Sequence, residues 1–74
     1  MNAARRKELK RALEMLDAAK TILEQVAEEE QDAYDNLPES IQDSERGEQI
    51  YDNADTLSGY MDDLDDMMSA IEEM

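Results

Sequence analysis

Residues 50–71 read I-Y-D-N-A-D-T-L-S-G-Y-M-D-D-L-D-D-M-M-S-A-I. Within them Ile50, Ala54, Leu57, Met61, Leu64, Met68 and Ile71 follow at steps of 4, 3, 4, 3, 4 and 3. Apolar side chains recurring every 3.5 residues line one stripe of an α-helix, and such a seam is buried against a partner helix. Gly59 lies inside the stretch and costs about 1 kcal/mol relative to Ala. A slight bend or a close helix approach at Gly59 would account for it.

Working back from this helix, Ser44 is a candidate N-cap. Before it runs a connector, L-P-E-S-I-Q-D-S-E-R-G, Leu37 to Gly47. Pro38 has no backbone donor and disfavours helix at Leu37, so a preceding helix must stop there. Pro38 also suits the start of a short helical turn around Glu39 to Asp43. Upstream, Leu9, Ala12, Leu13, Leu16, Ala19, Leu23, Val26, Ala27, Ala33 and Tyr34 recur at steps of three and four, with Ile22 beside them. That spacing marks a second amphipathic helix, which Glu30 interrupts near the edge of its stripe. Asn2 is its candidate N-cap.

The expected fold is therefore all-α. One domain, residues 1–74, contains a helix over about 3–36, a connector over about 37–45 and a helix over about 46–73. Helices of this length reach roughly 42 to 50 Å, and the connector is long enough to fold them back antiparallel. Leu9, Leu13, Leu16 and Leu23 form the seam with Ile50, Leu57, Met61, Leu64, Met68 and Ile71. The first stripe is too wide for one hairpin to cover. Pairing two hairpins into a four-helix bundle would cover it, so a homodimer is expected. Met67 and Met74, beside the seam, are the candidates for that contact. Met15 offers another adaptable side chain. Tyr34, Tyr51 and Tyr60 border the stripes as core rim or as contact residues.

Composition narrows the function. The 74 residues contain no Cys, His, Trp or Phe, which leaves no disulfide framework and no common zinc site. Ser40, Ser44, Ser58 and Ser69 have no base placed beside them by any motif, and no glycine-rich phosphate loop occurs. Paired carboxylates need a pocket to become acid/base catalysts, and two helices offer none. An enzyme is not expected, and neither is a cofactor. The basic N-terminus is followed by no apolar segment of a signal peptide, and no run of 18 apolar residues could span a bilayer. A cytoplasmic location is the default.

Charge is distributed unevenly. Residues 1–11 hold five cations and one acid; residues 12–74 hold two cations and twenty acids, and the whole chain is at -14. Arg5, Arg6 and Lys7 sit where a helix dipole prefers anions, which points to pairing elsewhere, for instance with the acidic second helix. Asp52, Asp55, Asp62, Asp63, Asp65 and Asp66 are Asp rather than the better helix former Glu. Short side chains hold charge in a more fixed array, which favours recognition over mere solubility. About 45 Å of B-DNA carries ~26 charges. Twenty carboxylates on a hairpin of similar length approach that density, so a basic nucleic-acid-binding groove is a candidate partner. Nucleic acid itself is not. The D-D-L-D-D run at Asp62 to Asp66 offers hard oxygen ligands, but it lacks the EF-hand spacing and its carboxylates point in different directions on a helix. No metal site is expected. In the connector, Glu39, Gln42 and Arg46 are the candidate contact residues, because functional groups concentrate on ordered connections. The alternative is structural: Ser40 and Ser44 cap, and Arg46 pairs with a nearby acid.

The connector and N-terminus also carry a resemblance. D-N-L-P-E-S-I-Q-D-S-E-R-G-E-Q, Asp35 to Gln49, and N-A-A-R-R-K-E-L, Asn2 to Leu9, resemble stretches of short acidic helical proteins of Gram-positive phages and prophages, a family without an assigned activity. The resemblance covers nearly the whole chain. It implies a mobile-element context and transfers no functional residue. By analogy with small acidic phage inhibitors, the expected function is that of a phage-like protein-binding module. It would inhibit a host nucleic-acid-binding or defence protein by mimicking nucleic acid. The alternative is a structural or adaptor protein that self-assembles through its helical seams.

Overall fold

The computed structural model describes residues 1–74. Helix α1 spans Ala3–Asp35, a short α2 spans Glu39–Gln42, and α3 spans Glu45–Glu72. No strand is present. Asn2 is extended and its Oδ1 accepts the Arg5 amide at 2.8 Å, satisfying one of the free amides that open α1. At the other end the Asn36 amide donates to the Asp32 carbonyl and the Leu37 amide to that of Tyr34. Pro38 then breaks the ladder, and its own carbonyl accepts from Ile41 and Gln42 to start α2.

Ser44 joins the connector to α3 in two ways. Its hydroxyl accepts the Gly47 amide at 3.4 Å as N-cap, and it donates to the Ile41 carbonyl. Glu45 and Glu48 then place anions at the N-terminus of α3, the favourable end of the helix dipole. Ser40 caps nothing; the residue at the N-cap of α2 is Pro38.

α1 and α3 pack antiparallel. Tyr34 lies against Tyr51, Glu30 reaches Asn53 and Lys20 reaches Asp65, so numbers rise along one helix as they fall along the other. The result is a rod of 58 × 15 × 12 Å. Its core is thin. Only Ala27, Gly47 and Ala54 are buried, and no large side chain is fully enclosed. Two cylinders touching along one line cannot enclose a large side chain on all sides. No helix is long and apolar enough to cross a membrane.

The two glycines differ in their surroundings. Gly59 has open space around it, so no close approach explains it. Gly47 is the site of close approach. A Cβ there would lie 2.6 Å from the Gln42 carbonyl carbon and would collide with the carbonyl oxygens of Ile41 and Gln42. Only a residue without a side chain lets α3 begin directly against the connector.

Candidate functional site

The seam on α3 consists of the expected residues. Ile50, Leu57, Met61, Leu64, Met68 and Ile71 are half-buried and Ala54 is buried. The seam on α1 differs from the wide stripe read from sequence. Its covered positions are Leu9, Ala12, Leu13, Leu16, Lys20, Leu23, Ala27, Glu30, Tyr34 and Leu37. From Leu13 onward they advance by steps of three and four, so Lys20 and Glu30 occupy places that spacing reserves for apolar residues. Glu30 is therefore inside the seam and not at its edge; its Oε2 accepts from Asn53 Nδ2 at 3.4 Å. Conversely Ala19, Ile22, Val26 and Ala33 lie outside the seam, exposed.

Lys20 is the one cation that bridges the helices. Its Nζ donates to Asp65 Oδ1 at 2.6 Å. This hydrogen bond holds the ammonium above its ordinary pKa, helped by the charges of Asp65, Glu24 and Asp17 and opposed by partial desolvation. The N-terminal cations make no such bridge. Arg11 pairs with Glu8 within α1, and Arg5, Arg6 and Lys7 form no ion pair. Arg46 forms none either, so it does not anchor the connector.

The acidic residues of α3 divide accordingly. Asp65 turns to the seam and is held by Lys20. Asp52, Asp55, Asp62, Asp63 and Asp66 are exposed on the rest of the helix surface. Around the whole molecule every acid except Glu30 is exposed. No three carboxylates converge to hold a metal ion, the Asp62 to Asp66 run included. The rod is longer than the 45 Å assumed from sequence, so its charge is more dilute. Twenty-one carboxylates over 58 Å is one per 2.8 Å. Duplex DNA carries one per ~1.7 Å and a single strand one per ~3.4 Å; the chain lies between them.

The connector residues have different roles. Gln42 is half-buried and its Nε2 donates to the Tyr34 carbonyl at 3.0 Å, tying α2 to the end of α1. Glu39 and Arg46 are exposed and make no side-chain bond. Tyr34 and Tyr51 meet edge to face, ring centres 5.4 Å apart, and close this end of the hairpin.

Shallow grooves flank the seam on both sides, and each mixes polar and apolar side chains. One sets Glu24, Glu28 and Asp55 beside Tyr51 and Met61. The other sets Val26, Leu57 and Tyr60 beside Glu30, Asn53 and Thr56. Ile22 and Met15 lie on the same side of α1 as Val26, and Met67 lies one heptad beyond Tyr60. Ile22 is 62% exposed, Met15 63%, Tyr60 55% and Met67 51%. Sequence reasoning merged this second apolar stripe with the seam because both repeat at steps of three and four. Comparison with protein families, with curated proteins and with solved structures finds no match for the chain.

Proposed function

We propose that this chain is an acidic protein-binding module that docks on a basic, nucleic-acid-binding surface of another protein and blocks it. The observation that supports the reading is the array of carboxylates along the 58 Å rod beyond its basic N-terminal end, all exposed but Glu30, with only Asp65 tied across the helices by an ion pair. Such an array concentrates negative potential along a rigid track and steers a cationic groove onto it. The five free aspartates of α3, Asp52, Asp55, Asp62, Asp63 and Asp66, are the contact residues of this proposal, with Glu39 and Arg46 at the connector tip. A phage origin, suggested by the resemblance of Asp35 to Gln49, makes a host enzyme or defence protein in the cytoplasm the natural target.

The test is retention of nucleic-acid-binding proteins from a Gram-positive host lysate on the immobilised chain. The expected complex elutes with rising salt and is displaced by duplex DNA. A chain carrying Asp52→Asn, Asp55→Asn, Asp62→Asn and Asp66→Asn should retain far less. A complex indifferent to DNA and to these substitutions rules the mimicry out.

A second reading, a self-assembling adaptor, is favoured by the exposed apolar side at Met15, Ile22, Val26, Tyr60 and Met67. It predicts that no host protein is retained even at low salt.

A further inference from the structure

We infer that the apolar side of the hairpin is covered by a second copy of the same chain, docked antiparallel, giving a four-helix bundle whose two α1 helices cross near Ala19 and Ile22. Three independent observations carry this.

The first is area. A compact monomer of 8.5 kDa exposes about 4,700 Å², whereas this chain exposes 5706 Å². The excess of about 1,000 Å² is of the size that one partner of a standard interface buries, about 800 Å². The excess has a physical origin: a two-helix rod leaves one flank of each helix without a neighbour.

The second is the place of the apolar side chains. Met15, Ala19, Ile22 and Val26 step by 4, 3 and 4 along α1, the spacing of a second coiled-coil stripe. They straddle the midpoint of α1, Ala3–Asp35. A twofold axis there pairs Met15 of one copy with the partner's Val26, and Ala19 with the partner's Ile22. Ala19, small at the crossing, leaves room for the partner's Ile22.

The third is charge, which selects the antiparallel sense. The open end of the hairpin, residues 1–11 with 70–74 of α3 beside them, carries five cations against three acids, Glu8, Glu72 and Glu73. The connector end, residues 28–48, carries nine acids and one cation. A parallel pair sets like ends side by side. An antiparallel pair sets each basic end against the partner's acidic end. This also gives a role to Arg5, Arg6 and Lys7, which oppose the α1 dipole and have no partner within their own chain.

The dimer places 42 carboxylates along the same 58 Å, one per 1.4 Å, the linear density of duplex DNA or slightly above it. The dimer itself does not depend on the proposed target.

The chain contains no Cys, so introduced thiols report only on themselves. Met15→Cys and Val26→Cys chains, mixed and oxidised, should give mainly the mixed disulfide; self-linked Met15→Cys pairs in excess indicate a parallel arrangement and overturn the proposal. Sedimentation equilibrium of the unmodified chain at about 100 µM, a concentration at which an interface of standard size is normally occupied, should return twice the chain mass. One chain mass under those conditions overturns it as well, leaving the face to a different protein. Ile22→Glu should raise the dissociation constant roughly a hundredfold, two buried side chains being lost per dimer, while circular dichroism remains helical because Ile22 is exposed in the single hairpin. An unchanged constant sinks the assignment of this face.

Discussion

Lys20 Nζ and Asp65 Oδ1 lie 2.6 Å apart across the two long helices, and Lys20 stands at a seam position that the heptad spacing would give to an apolar residue. A polar group in a seam costs stability and specifies register, because sliding the helices by one turn leaves the charge without its partner. Filling the position with Lys20→Leu should raise the urea midpoint at pH 7. Asp65→Asn should lower it, with the surroundings of Lys20 otherwise intact. Both are read by circular dichroism at 222 nm; a lower midpoint for Lys20→Leu would contradict the placement.

The same pair sets a pH dependence. Folding raises the Lys20 pKa above 10.5, chiefly through the hydrogen bond to Asp65. A group that binds its proton more tightly when folded contributes fully below its unfolded pKa and loses that contribution as pH rises through the folded one. Unfolding free energy should therefore be flat with respect to this group up to about pH 10 and fall above it. In Lys20→Met this component of the alkaline loss should disappear. Denaturation curves of the two chains at pH 9 and pH 11.5 make the comparison.

The two glycines should respond in opposite directions to the same substitution. Helix propensity alone favours Ala at both by about 0.5–1 kcal/mol. Gly59 has nothing near its missing side chain, so Gly59→Ala should realise that gain. At Gly47 the new methyl meets the carbonyls of Ile41 and Gln42, and Gly47→Ala should cost about 1–3 kcal/mol, as overpacking does elsewhere. Chemical denaturation of the two variants gives the signs directly.

Ala27 and Ala54 are 7% and 5% exposed, the most covered apolar side chains in the molecule. They mark where the helices come closest, and larger residues there must push the rods apart. Ala54→Leu adds apolar volume yet should destabilise by about 1–3 kcal/mol. A stabilised variant would mean that the helices are free to separate at this point.

With a net charge of -14, the folded rod is strained by self-repulsion that salt can screen. The Debye length falls from about 30 Å at 0.01 M to about 10 Å at 0.1 M. The melting temperature should rise over that range. A fall would mean that attractive pairs outweigh the repulsion.

Much of this molecule is local and periodic, which is why it is readable from residue order. The 3.5-residue repeat from Ile50 to Ile71 specifies a helix with one buried edge, and Pro38 with Ser44 specifies where one helix ends and the next begins. The hairpin follows from those facts, because both are properties of near neighbours in the chain. The seam leucines Leu9, Leu13, Leu16 and Leu23 are named from residue order; tertiary structure alone decided that Lys20 and Glu30 share their edge and that Ala19, Ile22, Val26 and Ala33 lie outside it. Leu9, Leu13, Leu16 and Leu23 share their step pattern with Met15, Ala19, Ile22 and Val26, so spacing cannot separate them. What separates them is contact at a distance: Lys20 with Asp65, and Glu30 with Asn53. These depend on atoms brought together from two different helices, and no pattern within a single helix encodes them.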